Sequence, residues 1–405
     1  MPRGVRYSIL LFLLTFVCCV PCAKAQHFDI ARNKKRVYVP FKVVRSMIVI
    51  PLKINNKGPY NFILDTGVGL LLITDPLLVD SLNIANKRTI KIAGLGEREN
   101  YEAIVAPLLN VTVQGSLESS NISAAILKDD FFGLSGYAGM PIHGLLGYAF
   151  FNKLAVKVSF TDSTLLVMKP GSMRIFRKAE KIPLTIEDGK PYMTTNVTSN
   201  GMEKTSKLLI DLGAGHPLSL ENVDSLPQKS ITANLGVGLN GLIDGHLARV
   251  NSMAIGKYSI KNIIASFPAD DPSFKTSIPR DGSVGMGVLK RFDIIFDYQN
   301  NAMYLKPNAA FKETFEHDMS GLSYHAGGKK FDRLIIEKVD VGSAAYEMGI
   351  QEDDEILSIN FKPVNKMSLQ QVDDLLKSKD GRTVLLEIHR DKITDMVLLT
   401  LKRRI

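Results

Sequence analysis

The sequence predicts a mainly β protein: two homologous strand-rich lobes followed by a small α+β module. Three observations carry this expectation. Beyond residue 25 the chain reads as short apolar runs broken by Gly, Pro, Asn and Asp, the pattern of strands joined by tight turns. FILDTGVGLLLIT (62–74) in the first half answers to LLIDLGAGHPLSL (208–220) in the second. From residue 321 the texture changes, with one amphipathic helical pattern set among strand-like runs. At 405 residues and 45% hydrophobic content the chain exceeds the usual single-domain size and can bury more than one core.

Residues 1–25 read as a signal peptide. Arg3 and Arg6 precede the apolar SILLFLLTFVCCV, which is too short to span a bilayer comfortably, and Ala23-Lys24-Ala25 has the small-x-small form of a cleavage site before Gln26. The alternative is a retained N-terminal anchor, and only then is a membrane an expected partner. Cys18, Cys19 and Cys22 all lie in this segment, so residues 26–405 hold no thiol. A cysteine nucleophile and a thiolate zinc site are thereby excluded from them. An exported chain without disulfides points to a periplasmic or secreted protein of the bacterial envelope. The net charge is +9, three units of which (Arg3, Arg6, Lys24) leave with the leader. Lys and Arg are scattered, with no basic stripe interleaved with aromatics, so nucleic acid is not an expected partner.

The repeat sets the lobes at 26–174 and 175–310. GLLGYAFFNKLAVKVSFTDSTLLVMKP (144–170) is matched with GMGVLKRFDIIFDYQNNAMYLKP (285–307). Each half also holds a Gly-rich turn, IAGLGE and NLGVGLNG, and a late apolar strand running into paired aspartates. Residues 311–320 form a hydrophilic linker, and 321–405 the final module.

An unpaired carboxylate in a buried strand costs several kcal/mol, at least about 2, so Asp65 must be neutralised, paired or used. Two Asp-x-Gly turns, one per lobe, imply a pseudo-twofold site where Asp65 and Asp211 meet. Glycine permits the tight turn and a close approach of the opposite loop. Two adjacent carboxylates cannot both ionise easily, so the pair holds one proton. The ionised member can activate a water while the protonated one polarises a carbonyl, chemistry that needs no metal, cofactor or covalent intermediate.

At Asp65-Thr66-Gly67-Val68, Asp211-Leu212-Gly213-Ala214, Leu145-Leu146-Gly147 and Met286-Gly287 the chain resembles the aspartic proteases, among them the bacterial retropepsin-like and pepsin-like enzymes. The resemblance implies β-barrel lobes and an endopeptidase acting on polypeptide. Asp65 and Asp211 would be the catalytic pair, supported by Thr66, Gly67, Leu212 and Gly213, with Thr66 donating its hydroxyl to the opposite loop. Leu145-Leu146-Gly147 and Met286-Gly287 would pack against the Asp loop of their own lobe. Gly94, Leu95 and Gly96 would form either a flap over the cleft or an ordinary hairpin turn.

Leu212 departs from the Thr or Ser of the family. It leaves the hydrogen bonding between the loops one-sided, at a cost of about 1 kcal/mol for one net hydrogen bond. Two readings stay open: tuned geometry, or a catalytically silent relative that binds peptide. His143 and His216 read as structural or solvated loop histidines. Aspartates 129, 130, 270 and 271 read as solvated turn residues and not as a metal site.

In the last module, Gly342-Ser343-Ala344-Ala345, Met348-Gly349-Ile350 and the run from Asp354 to Asn360, followed by a helix and two strands, resemble a PDZ domain. Asp353 and Phe361 stand where that pattern carries Gly. The resemblance implies capture of an extended peptide or C-terminus by strand addition. Gly327 and Gly328 would form the carboxylate loop, and Leu334, Ile335 and Ile336 the groove strand. The module would tether or regulate substrate, or simply dock on the lobes. No Gly-x-Ser-Gly-Gly or His-Glu-x-x-His segment occurs, which sets aside serine and zinc peptidase readings.

Overall fold

Alternation of apolar residues builds the strands. Arg36–Pro40 buries Val37 and Val39 and exposes the residues between them, and Met47–Ile54 buries a longer run inside the first lobe. The structure, a computed structural model, describes residues 26–82, 84, 87–92, 101–130, 132–221, 223, 225–238, 241–269 and 278–405. The leader, Gly94, Leu95, Gly96, Asp270 and Asp271 lie outside these residues. No described helix is long and apolar enough to cross a membrane.

In the first lobe the strands Leu117–Leu127, Leu71–Ile73, Gly144–Leu146, Lys57–Leu64, Met47–Ile54 and Tyr101–Val113 pair in that order. The last pairs back onto the first, closing a ring. The second lobe repeats the path with Tyr258–Pro268, Leu218–Leu220, Gly282–Val284, Met202–Ile210, Lys190–Ser199 and Gly241–Ile255, again closed on itself. Closure leaves no free edge within either ring and gives each lobe an enclosed apolar interior.

In both rings the short strand lies parallel to the strand that ends in the Asp turn: Leu146 opposite Leu64, and Val284 opposite Ile210. This register corrects one expectation. The counterpart of Leu145-Leu146-Gly147 is Ser283-Val284-Gly285, and Met286-Gly287 falls in the helical turn that follows. Ser283 interrupts the apolar pattern, which is why the match between the halves slips by three residues when read from sequence. Gly144 and Gly282, at φ +158° and +154°, occupy equivalent places where a Cβ would collide with the carbonyls of Leu72 and Ser219.

A third sheet joins the halves in the order Glu180–Pro183, Ala302–Pro307, Phe292–Asp297, Ala155–Ser159, Thr164–Met168, Arg36–Pro40. Its central antiparallel pair sets Lys157 opposite Ile295, equivalent positions of the two hairpins, as a twofold relation requires. Val156, Val158, Ile294 and Phe296 enter the core shared by both lobes. Ala155 and Ile295 are covered on the other face by Met173.

The stretch between lobe and module is more firmly held than its hydrophilic composition suggests. Phe315 is buried in the lobe core against the Arg291 guanidinium, and Met319 belongs to the module's core. The module forms an antiparallel sheet in the order Leu322–Gly327, Arg333–Val339, Glu355–Ile359, Thr383–Arg390, Ile393–Thr400. Helix Leu369–Leu376 carries a Ser368–Gln371 capping box and turns Val372 and Leu376 into that core.

Candidate active site

Each Asp turn is hung from the short strand of its own lobe. The Asp65 amide donates to Leu146 O and the Asp211 amide to Val284 O, both at 2.9 Å. One turn later Tyr148 N donates to Val68 O at 3.1 Å, and Met286 N to Ala214 O at 2.7 Å. Leu146 and Met286 are fully buried, and Leu145 joins a small apolar cluster with Ile63 and Ile142. Gly147 lies against Val68 O and Asp65 O, Gly285 against Ala214 O, and Gly287 against Pro217.

The two carboxylates meet. A Cβ on Gly67 would stand 3.0 Å from both Asp65 Oδ1 and Asp211 Oδ2, while Gly67 N donates to Asp65 Oδ1 at 2.7 Å and Gly213 N to Asp211 Oδ1 at 2.8 Å. Each glycine thus abuts the opposite carboxylate, and a Cβ on Gly213 would overlap the Asp65 carboxylate. Burial first, and the Asp211 charge second, hold the Asp65 carboxyl well above the ordinary carboxylate range. Amide donation from Gly67 and the Lys190 charge oppose the shift.

Thr66 ties the loops together. Its buried hydroxyl donates to Ile210 O at 2.6 Å and accepts from Leu212 N at 2.9 Å. Leu212 returns no such bond, because its side chain has no polar atom, and it is instead fully buried in the lobe core.

A hairpin turn of the other lobe flanks each loop. Asp188 O lies 3.2 Å from where a Cβ of Gly69 would stand, and Arg45 O 3.8 Å from that of Gly215. His216 Nε2 meets Ser283 Oγ at 2.9 Å, and burial lowers its pKa, so it is a neutral structural imidazole behind the Asp211 loop. His143 Nδ1 accepts from Asn61 N at 3.2 Å and its ring packs on Tyr60, again a structural role. Asp130 Oδ1 accepts from Gly133 N, as a turn residue does. Among the described residues no group of three or more His, Cys, Asp or Glu is placed to hold a metal.

Residues 50–150 match the aspartyl protease family model, and residues 335–390 match a PDZ domain model. The chain joins an aspartyl protease domain to a PDZ domain. It is also 28% identical over 123 residues to the carboxy-terminal processing protease CtpA of Bacillus subtilis (strain 168), a match covering 30% of this chain and 25% of the relative. This chain thus aligns with about a quarter of that curated relative's length.

In the PDZ domain Gly327 ends the edge strand and Gly328 opens the turn after it. Of the three residues expected along the groove, Leu334 borders a cavity beside the helix, Ile336 is interior, and Ile335 pairs with His325 and Glu355. The sheet ends on Leu322–Gly327 and on Ile393–Thr400, and the end strand beside helix Leu369–Leu376 is Leu322–Gly327, one strand earlier than expected, because the groove wall precedes the recognisable motif. Asp353 and Phe361 adopt φ +67° and +63°, the left-handed conformation that glycine takes without strain.

Two groups near the carboxylate pair have no motif in the sequence. Tyr298, in the turn of the joining sheet, is stacked on Phe151, and its buried hydroxyl finds no protein partner among the described residues. Burial, followed by the charges of Asp65 and Asp211, raises its pKa well above the ordinary phenol value. Lys190 follows the Asp188-Gly189 turn, and Gly189 packs on the Tyr148 ring. The only sequence signal for either is position within a repeat whose two copies differ there.

Proposed function

We propose that this protein is an exported aspartic endopeptidase whose PDZ domain captures polypeptide. One observation carries the reading: the Asp65 and Asp211 carboxylates are brought together between loops cross-tied by Thr66, where burial and the Asp211 charge hold the Asp65 carboxyl above the ordinary range. In this reading Asp211 is the base and Asp65 the acid. Water between them loses a proton to Asp211 as its oxygen attacks the scissile carbonyl carbon, and Asp65 donates to the carbonyl oxygen. The resulting diol collapses when Asp211 returns its proton to the amide nitrogen and Asp65 recovers its own. The backbone donors at Gly67 and Gly213 hold both carboxylates in place through the cycle.

A second reading rests on Leu212, which supplies no hydroxyl to the opposite loop: a catalytically silent protein acting through PDZ-mediated capture. The relative's name, a carboxy-terminal processing protease, supports peptidase chemistry and fits a domain that takes chain ends. Export to the bacterial envelope is part of the proposal and rests on the leader-like residues 1–25.

The deciding test is digestion of unfolded casein by the chain from Gln26 onward across pH 3 to 8, beside Asp65→Asn and Asp211→Asn. Cleavage lost in both folded variants supports a shared pair. A folded, wild-type chain inert at every pH leaves the silent reading.

A further inference from the structure

The edge of the PDZ sheet beside helix Leu369–Leu376, formed by Leu322–Gly327, is not open. Along Leu322–Gly327 the carbonyls of alternate residues face the first protease lobe. Tyr324 O accepts from Arg45 Nη1 at 3.1 Å, and Ala326 O lies 3.3 Å from where a Cβ of Gly136 would stand. These are the acceptors an added strand would use. Across the groove, Arg45 Nε and Nη2 donate to the two carboxylate oxygens of Asp373, on helix Leu369–Leu376, each at 3.0 Å.

The guanidinium is sandwiched by the rings of Tyr137 and Tyr324, 4.2 Å and 4.9 Å from their centroids, and the Tyr324 hydroxyl also donates to Asp373. Helix Leu134–Ala138 and Gly139 cover the rest of the edge, with a Gly139 Cβ placed 3.1 Å from Leu369 Cδ1. A cavity of about 240 Å³ remains between Val44 and Met140 on the lobe and Leu334, Met367, Leu369 and Val372 on the PDZ domain.

With the edge read as a polypeptide site, as proposed above, we infer that the first protease lobe masks it, and that a polypeptide strand binds only by displacing residues 134–139 and parting Arg45 from Asp373. The groove cannot hold both, since Arg45 occupies Tyr324 O and Gly136 stands against Ala326 O. The remaining cavity takes one apolar side chain of the incoming strand. Displacement also reaches the protease site, because Arg45, Ser46 and the Tyr137 hydroxyl are the groups standing against Gly215 of the Asp211 loop.

The test uses a disulfide lock. Residues 26–405 hold no cysteine, and a Cβ on Gly136 would lie 3.8 Å from His325 Cβ, within the range a disulfide spans. In the chain from Gln26 carrying Asp65→Asn, Gly136→Cys with His325→Cys is compared oxidised and reduced for binding fluorescein-labelled unfolded β-casein by polarisation. The expected result is at least about tenfold weaker binding by the oxidised form, and tighter binding than the parent by Arg45→Ala in the same Asp65→Asn background. Equal affinity in both redox forms, no binding by the reduced form, or no gain in Arg45→Ala overturns the masking. The same cysteine pair with Asp65 intact separates the two readings. Redox-dependent binding without cleavage at any pH removes the protease function and leaves the masking in place.

Discussion

The Thr66 hydroxyl accepts the Leu212 amide at 2.9 Å, so one side chain holds the opposite loop where a symmetric pair of hydroxyls would share the task. Thr66→Val deletes this bond and the donation to Ile210 O, leaving a buried amide and a carbonyl unsatisfied. We expect a loss of about 1–3 kcal/mol in denaturant unfolding and a lower kcat on casein. A variant with unchanged stability and rate would show that the cross-tie is dispensable.

Glycine at the tips of the loops is required unequally. Gly213→Ala places a methyl inside the Asp65 carboxylate and is expected to abolish cleavage. Gly67→Ala meets Asp211 Oδ2 at 3.0 Å, a contact a small shift can relieve, and is expected to retain part of the activity. Casein cleavage rates of the two folded variants give the order, and the reverse order would contradict the observed geometry.

Asp65 gives a pH dependence of definite sign. Its carboxyl is raised in the folded state above its ordinary 3.8, so the folded chain binds that proton more tightly than the unfolded one. Its contribution to stability is full below pH 3.8 and is lost as pH rises through the elevated value. Each unit of elevation is worth about 1.4 kcal/mol. Asp65→Asn should therefore raise Tm relative to wild type more at pH 7 than at pH 4, and an equal difference at both would argue against a retained proton.

His317 acts in the opposite direction. It is paired with Asp318 O and accepts from Arg404 N at 3.2 Å, and burial lowers its pKa from 6.5 to about 4. The unfolded chain protonates first on acidification, so this contribution is full above pH 6.5 and lost as pH falls toward 4. It amounts to about 3 kcal/mol at most. His317→Gln should flatten that part of the stability profile measured by urea unfolding at pH 7, 5.5 and 4.

Strain in the PDZ turns can be removed. Phe361 sits at φ +63° and the residue is 79% exposed, so little burial is lost on substitution. Phe361→Gly should stabilise the chain by about 0.5–1 kcal/mol, read as a rise in the urea midpoint of the PDZ transition.

Much of this architecture was legible because it is written twice or in local pattern. The Asp loops repeat, and strands and turns announce themselves by alternation and by Gly and Asn. The short strand of the second lobe is not legible in the same way, because Ser283 sits where the first lobe has Leu145, and apolarity alone sets that register in sequence. The PDZ edge reads one strand late from sequence because Leu322–Gly327 carries no motif of its own.

The sequence by itself determined the duplicated Asp-x-Gly turns, the strand-rich lobes and the kind of module that follows them, since each depends on residues close together in the chain. The tertiary structure alone decided that the Tyr298 hydroxyl is buried within reach of the charges of Asp65 and Asp211, that a single hydroxyl ties the loops, and that Arg45 closes onto Asp373, 328 residues away. The physical reason is that burial and charge pairing arise from groups brought together only when the rings close and the sheets pack, and no local pattern encodes which distant partner a side chain will meet.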